Sequence, residues 1–230
     1  MTVPEPAAAT TARSPAGSAV HLTRVTRLFD GLAAITQVSM DVGAGESVWL
    51  RGSNGSGKST LLRVIATAIS PTYGGGTVLG HDLVRGRAAI RARTELVGHN
   101  TRLYDDLTAT ENLHFVCDLL GVDSGGIAPA LERVGLTEVA TVRAGNFSQG
   151  MRQRLVLARC LVRGPRLLLL LLDEPYAGLD PDARVVVDDL LAEARGAGRT
   201  VLIASHEAPP ARLVHRTVVM DGGRLIGEDP

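Results

Sequence analysis

The stretch Gly52-Ser53-Asn54-Gly55-Ser56-Gly57-Lys58-Ser59-Thr60 sets glycines ahead of a lysine and two hydroxyls in the spacing G-x-x-x-x-G-K-[ST]. Glycine allows backbone torsions that a Cβ resists, so successive N–H groups can turn inward around phosphate oxygens. Lys58 would then reach the β- and γ-phosphates of a nucleotide, and the Ser59 hydroxyl would ligate Mg²⁺. Ser47 to Arg51 reads as a buried strand running into this loop, and Leu61 to Ile65 opens a helix behind it. The phosphate would thus lie at a helix N-terminus, where the dipole and the amide groups favour an anion.

Three further groups of polar residues stand at element ends. Asp173-Glu174 follows the apolar run Leu167 to Leu172, His206 follows the run Thr200 to Ala204, and Ser148-Gln149-Gly150 opens a helical pattern that lasts to about Val162. Asp173 suits the second acidic contact to Mg²⁺, made through water, and Glu174 suits the general base or orienter of an attacking water. His206 could bond the γ-phosphate and hold Glu174 or the water in line. A carboxylate pair at the C-terminal end of a fully apolar strand lies where open α/β sheets bind ligands.

The elements that must position these groups can be taken in chain order. Val20 to Thr26, Val38 to Val42 and Ser47 to Leu50 read as strands of an N-terminal sheet, with Phe29 an exposed aromatic on the loop between the first two. Phe29 is either an edge plug or a stacking surface for a base. Thr77 to Leu79 and Glu95 to Val97 read as strands, with Gly74 to Gly76 a turn. From about Leu107 to Arg163 the pattern is helical: a capping box at Thr108 to Glu111, a short helix at Ile127 to Val134, and the helix opened by Ser148. Arg152, Arg159 and Arg163 on that last helix read as a solvated face. A further helix begins at Pro181, and Thr217 to Met220 with Arg224 to Ile226 flank a hairpin turn.

A chain of 230 residues suits one domain with a subdomain. Zero net charge argues against a broad nucleic-acid footprint, and aromatics at 3% are too few for base-stacking platforms, so no nucleic-acid partner is expected. Cys117 and Cys160 match neither a metal nor a redox spacing and fall on apolar helical stripes. The longest apolar run stops at Asp173, so no membrane-spanning helix is expected. Residues 1–19, rich in Ala, Thr and Pro, read as a disordered tail.

Together these motifs resemble the nucleotide-binding subunit of an ATP-binding cassette (ABC) transporter, from about Val20 to the end. Gly52 to Thr60 is similar to the family's Walker A motif, Leu169 to Glu174 to Walker B with its following glutamate, Ala177-Gly178-Leu179-Asp180 to the D-loop, and Ser205-His206 to the H-loop. Asn146 to Arg154 resembles the LSGGQ-x-x-R signature. The resemblance implies an α/β fold: a P-loop core on a mostly parallel sheet, an N-terminal antiparallel β subdomain and an inserted helical subdomain at about 107–163, all within one ABC ATPase domain spanning 20–230. It implies ATP and Mg²⁺, hydrolysis by Glu174, His206 and Lys58, and two cassettes, expected as a homodimer, closing head to tail so that Ser148, Gln149, Gly150 and Asp180 complete the other copy's site. Phe29 takes the place of the adenine-stacking aromatic.

Three departures from the family pattern bear on these expectations. Asn100 stands where the family has a metal-contacting Gln, one methylene shorter. Gln149 and Met151 replace Gly and Gln in the signature. Six leucines precede Asp173, two more than the resemblance leads one to expect, which preserves side-chain parity if the strand starts earlier or bulges. The loop from His99 to Thr108, with Leu103, Tyr104 and Leu107, corresponds to the family's contact with its membrane-spanning subunit, which places the chain at the cytoplasmic face of the membrane. Gly52 to Gly55, Gly98-His99, Leu107 to Phe115 and Leu172 to Asp180 are most similar to the ATPase of haem exporters of cytochrome c maturation. Drug or polysaccharide exporter ATPases and a soluble, non-transport ABC protein are the alternatives.

Overall fold

The computed structural model describes residues 17–98, 101–179 and 181–229. Asn100 and Asp180, both expected at the site, lie outside the described residues, as does His99.

Two long strands open the fold, β1 (Ser18–Phe29) and β2 (Leu32–Gly43), paired antiparallel across the Asp30-Gly31 turn. Both central turn residues have positive φ, 47° and 83°, the geometry that matches the twist of a tight hairpin. The strands therefore continue to the turn, beyond the apolar runs at Val20 to Thr26 and Val38 to Val42, and β1 begins at Ser18, inside the span read as tail. β3 (Ser47–Arg51) leads into α1 (Lys58–Ile65), followed by β4 (Tyr73–Val78) and the two-residue β5 (His81–Asp82). The glycines at 74 to 76 are part of β4 and not a turn. A Cβ at Gly76 would stand 1.9 Å from the His21 carbonyl oxygen, so glycine here serves close backbone approach to β1. The first sheet is antiparallel, in the order β2-β1-β4-β5.

α2 (Arg87–Arg93) and β6 (Thr94–Val97) precede the helices α3 (Ala109–Leu120), α4 (Ile127–Arg133) and α5 (Gln149–Val162). Thr108 caps α3: its hydroxyl accepts from Glu111 N at 3.2 Å while Glu111 Oε2 accepts from Thr108 N at 2.8 Å, the expected capping box. β7 (Leu169–Asp173), α6 (Pro181–Gly196), β8 (Thr200–Ser205), β9 (Arg216–Asp221) and β10 (Arg224–Asp229) complete the chain.

The second sheet has the order β10-β9-β3-β8-β7-β6, parallel from β9 to β6 with β10 antiparallel at the edge. β7 is buried on both faces. Leu169 and Leu171 pack with α1 and the first sheet, while Leu170 and Leu172 pack with the helices on the other side. The surplus leucines neither lengthen nor bulge the strand. Leu167 and Leu168 follow a short 3₁₀ turn at Gly164–Arg166 and lead into β7, Leu167 buried and Leu168 bonded by its N–H to the Arg93 carbonyl. Each fully buried leucine removes enough apolar surface to contribute about 1.5–3 kcal/mol.

Candidate functional site

β8 lies between β3 and β7, and their C-terminal ends are level: Arg51 pairs with Ser205, and Asp173 with Ala204. This register brings the loop after β3, the carboxylates after β7 and the histidine after β8 to one edge of the sheet. The lone tryptophan, Trp49, helps fix that edge, its indole N–H donating to the Ser205 carbonyl at 3.2 Å and hydroxyl at 3.1 Å. The sequence reading treated Trp49 as a strand residue only; a single indole on the strand that enters the loop was the signal available.

Within the loop, Gly57 has φ 103°, and a Cβ there would meet the Ala34 carbonyl oxygen at 2.6 Å, while one at Gly52 would meet the Met220 carbonyl oxygen at 2.3 Å. Both glycines let the loop lie tight against β2 and β9. Ser53, Asn54 and Gly55 form the exposed rim. Ser56 is buried and its hydroxyl has no protein partner. Lys58 Nζ donates to the carbonyls of Gly52 at 2.8 Å and Ser53 at 2.9 Å, which leaves the third ammonium N–H to face the loop's interior. Ser59 and Thr60 begin α1, and Ser59 Oγ donates to Asp173 Oδ1 at 2.8 Å. A hydroxyl and a carboxylate in contact are hard oxygen donors that fit Mg²⁺. Among the described residues no three His, Cys, Asp or Glu side chains converge to hold a metal unaided, so the ion fits here as a partner of phosphate oxygens and water.

Glu174 takes a positive φ of 52°, a torsion that costs a non-glycine residue about 1–3 kcal/mol. Its N–H donates to the Ala204 carbonyl at 2.7 Å, and the twist turns its side chain toward His206. His206 Nδ1 lies 2.8 Å from Glu174 Oε2, so that nitrogen carries the proton when the carboxylate is ionised. Nε2 is left facing outward on a ring more than half exposed. The histidine thus holds Glu174, one of the two roles expected for it.

Phe29 ends β1 and is not on the loop; it is 42% exposed, with the Arg27 guanidinium over its ring at 4.5 Å. Arg27 thus covers one face of a ring that remains part exposed. This cation was not singled out from the sequence, although it lies two residues away on the same face of the strand.

Ser148 is the N-cap of α5, its oxygen accepting from Met151 N at 3.3 Å and its proton remaining to donate. A cavity of about 460 Å³ is lined by Thr101, Gln149, Arg152, Gln153, Glu174 and the turn Ala177 to Leu179. No residue of the glycine loop borders it. Within one chain, Gln149, Arg152 and Gln153 thus share with Glu174 a cleft that the glycine loop does not border.

Arg152 and Arg159 of α5, with its C-cap Arg163, are not a solvated face. Arg152 bonds the Ala144 carbonyl and Asp105, and Arg159 and Arg163 are 8% and 6% exposed, both paired with Glu95 on β6. Helical spacing alone cannot distinguish a charged stripe facing water from one facing a buried carboxylate. Tyr104, half exposed, packs edge-to-face on Phe115 with ring centroids 4.7 Å apart, while Leu103 is partly buried against the core. Cys117 and Cys160 are buried, and burial pushes the Cys160 thiol up to about 12.

Residues 35–177 match the family described as ABC transporter. The Nod factor export ATP-binding protein I of Rhizobium johnstonii is 36% identical over 225 residues, covering 94% of this chain and 71% of that protein. The daunorubicin/doxorubicin resistance ATP-binding protein DrrA of Streptomyces peucetius is 34% identical over 215 residues, covering 91% of this chain and 64% of that one. A solved dimer of an ATP-binding cassette in a post-hydrolysis state, bound to ADP and Pi, superposes with a TM-score of 0.82 at 26% identity and covers 91% of this chain and 97% of its own. The chain is thus an ATPase and belongs to the ABC transporter family as an ATP-binding subunit.

Proposed function

We propose that two copies of this chain clamp two ATP molecules between them, each ATP held by one copy's Gly52–Thr60 loop and completed by Ser148, Gln149 and Gly150 of the other, and that the clamp drives export by a membrane-spanning partner. The observation that carries the reading is the separation within one chain. The glycine loop and the start of α5 are both built to receive phosphate, yet no loop residue borders the cleft beside Gln149 of the same copy. Among the described residues outside its own helix backbone, nothing lies within 4 Å of a Cβ placed at Gly150, which leaves that position open to a partner. The structural relative, a dimer bound to ADP and Pi, supports the pairing of two cassettes.

In this reading Lys58 spans the β- and γ-phosphates with its remaining N–H, and the loop amides cradle the oxygens. Ser59 and Asp173 hold Mg²⁺, with Asn100 a further candidate; bound there, the ion would neutralise phosphate charge. Glu174, steadied by His206, orients the attacking water and receives its proton. Phe29 stacks the adenine on its uncovered face and Asp180 lies at the junction of the two copies. The unit at about 107–163 moves with the other copy's nucleotide, and hydrolysis removes the bridge and opens the pair.

Among the described residues no helix is long and apolar enough to cross a membrane. The relatives named as ATP-binding proteins of export and of drug resistance support a separate membrane-spanning subunit, with this chain at its cytoplasmic face. Haem export has only local motif similarity behind it; the relatives described above are named for Nod factor export and for daunorubicin/doxorubicin resistance, which favours the alternative of a drug exporter over haem. Lys58→Ala tests the cradle: calorimetry should show ATP affinity weakened about tenfold or more, the loss of a charge-assisted bond to phosphate. Unchanged affinity would contradict it.

A further inference from the structure

Glu95 is 8% exposed at its side chain, and nothing in the site chemistry above uses it. Its Oε1 accepts from Arg159 Nε at 2.9 Å and stands 2.7 Å from Arg159 Nη2; its Oε2 accepts from Arg163 Nη1 at 2.6 Å. The arginines then reach outward. Arg159 Nη1 donates to the Thr101 carbonyl at 3.0 Å, and Arg163 Nη2 donates to the Arg91 and Ala92 carbonyls at 3.0 Å each. One carboxylate therefore joins the far end of α5 to β6, to the last turn of α2, and to the segment after β6 that runs toward the cavity beside Glu174.

We propose that Glu95 is a positioning residue: it is the pivot that sets the angle of α5 and so places Ser148, at the opposite end of that helix, against the other copy's nucleotide. The inference rests on the reading that Ser148 completes the partner site. α5 has 14 residues, about 21 Å of helix, so a tilt of about 5° at the pivot moves the tip by about 2 Å, enough to break a hydrogen bond.

Stability alone does not account for the cluster. Burying one carboxylate between two guanidinium groups costs solvation, and a packed apolar trio commonly replaces such a cluster with no loss of stability. The cluster also has room to rearrange. A cleft of about 340 Å³ lies beside it, lined by Ala66, Ala68, Arg91, Thr94, Arg102 and Arg163, and Arg163 Nε and Thr94 Oγ1 are buried there without protein partners. Unused donors beside open space give the guanidinium of Arg163 a second arrangement to adopt, as a two-state element requires.

The test uses a Glu174→Gln parent that holds ATP without turning it over, with dimer formation followed by sedimentation against ATP concentration. Glu95→Gln in that parent should raise the ATP concentration for half-dimerisation about tenfold, within the usual range of coupling between sites, while ATP affinity of the monomer stays within about twofold. Glu95→Asp should recover part of the shift. Should Glu95→Gln fold poorly, the combination Glu95→Leu, Arg159→Met, Arg163→Met keeps the volume and removes the charges. That variant should be as heat-stable as the parent yet defective in ATP-driven dimerisation. Normal dimerisation by the folded apolar variant would overturn the proposal. A parent that binds ATP but never dimerises would remove the underlying reading, and the proposal with it.

Discussion

Glu174 is the side chain on which turnover should depend most, because it alone combines a strained backbone, a histidine at 2.8 Å and a place beside the phosphate-binding edge. Glu174→Gln keeps the shape and removes the proton acceptor. Steady-state ATP hydrolysis should fall by about 10² or more with nucleotide binding retained; normal hydrolysis would take Glu174 out of the catalytic role. The glycine loop, Asp173-Glu174 and His206 were legible in the sequence because each sits in a local pattern that fixes both its element and its neighbours. Glu95 with Arg159 and Arg163, and Arg27 over Phe29, were not. Their partners come from distant segments or from the far side of a ring, and charge spacing along one helix carries no record of what faces it.

Helices and strands were read where a local device marks them, as at the Thr108–Glu111 box and the Ser148 cap. The backbone bond from Thr108, followed by that residue's hydroxyl, holds the Glu111 carboxyl below its ordinary value. A group with a depressed folded pKa contributes stability above its unfolded pKa and loses it as pH falls through the folded one. Glu111→Gln should therefore lower the thermal midpoint at neutral pH, with the difference vanishing once the pH is below the ordinary carboxylate range. A difference that persists in acid would mean the side chain acts through packing. Element bounds were missed where tertiary contact overrides local signals. Gly74 to Gly76 carry the composition of a turn, but they form a strand in which the backbone of β1 passes too close for a Cβ at Gly74 and at Gly76. Gly76→Ala should destabilise the fold by more than about 1 kcal/mol in chemical unfolding, since its Cβ would meet backbone that cannot move aside. A neutral result would show that the β1–β4 pairing relaxes.

Assembled, the molecule presents one sheet edge carrying the glycine loop and the strand-end carboxylates and, across a cleft that the loop does not border, the capped end of α5 that would complete such a site in another copy. The claim that joins them is that ATP is shared between two copies. Sedimentation of the Glu174→Gln protein tests it most directly, with ATP and Mg²⁺, with ADP, and with Ser148→Arg added. The account predicts a dimer with ATP only, and a monomer that still binds ATP once Ser148→Arg is present. A protein that stays monomeric with ATP bound, or a dimer indifferent to Ser148→Arg, would contradict it.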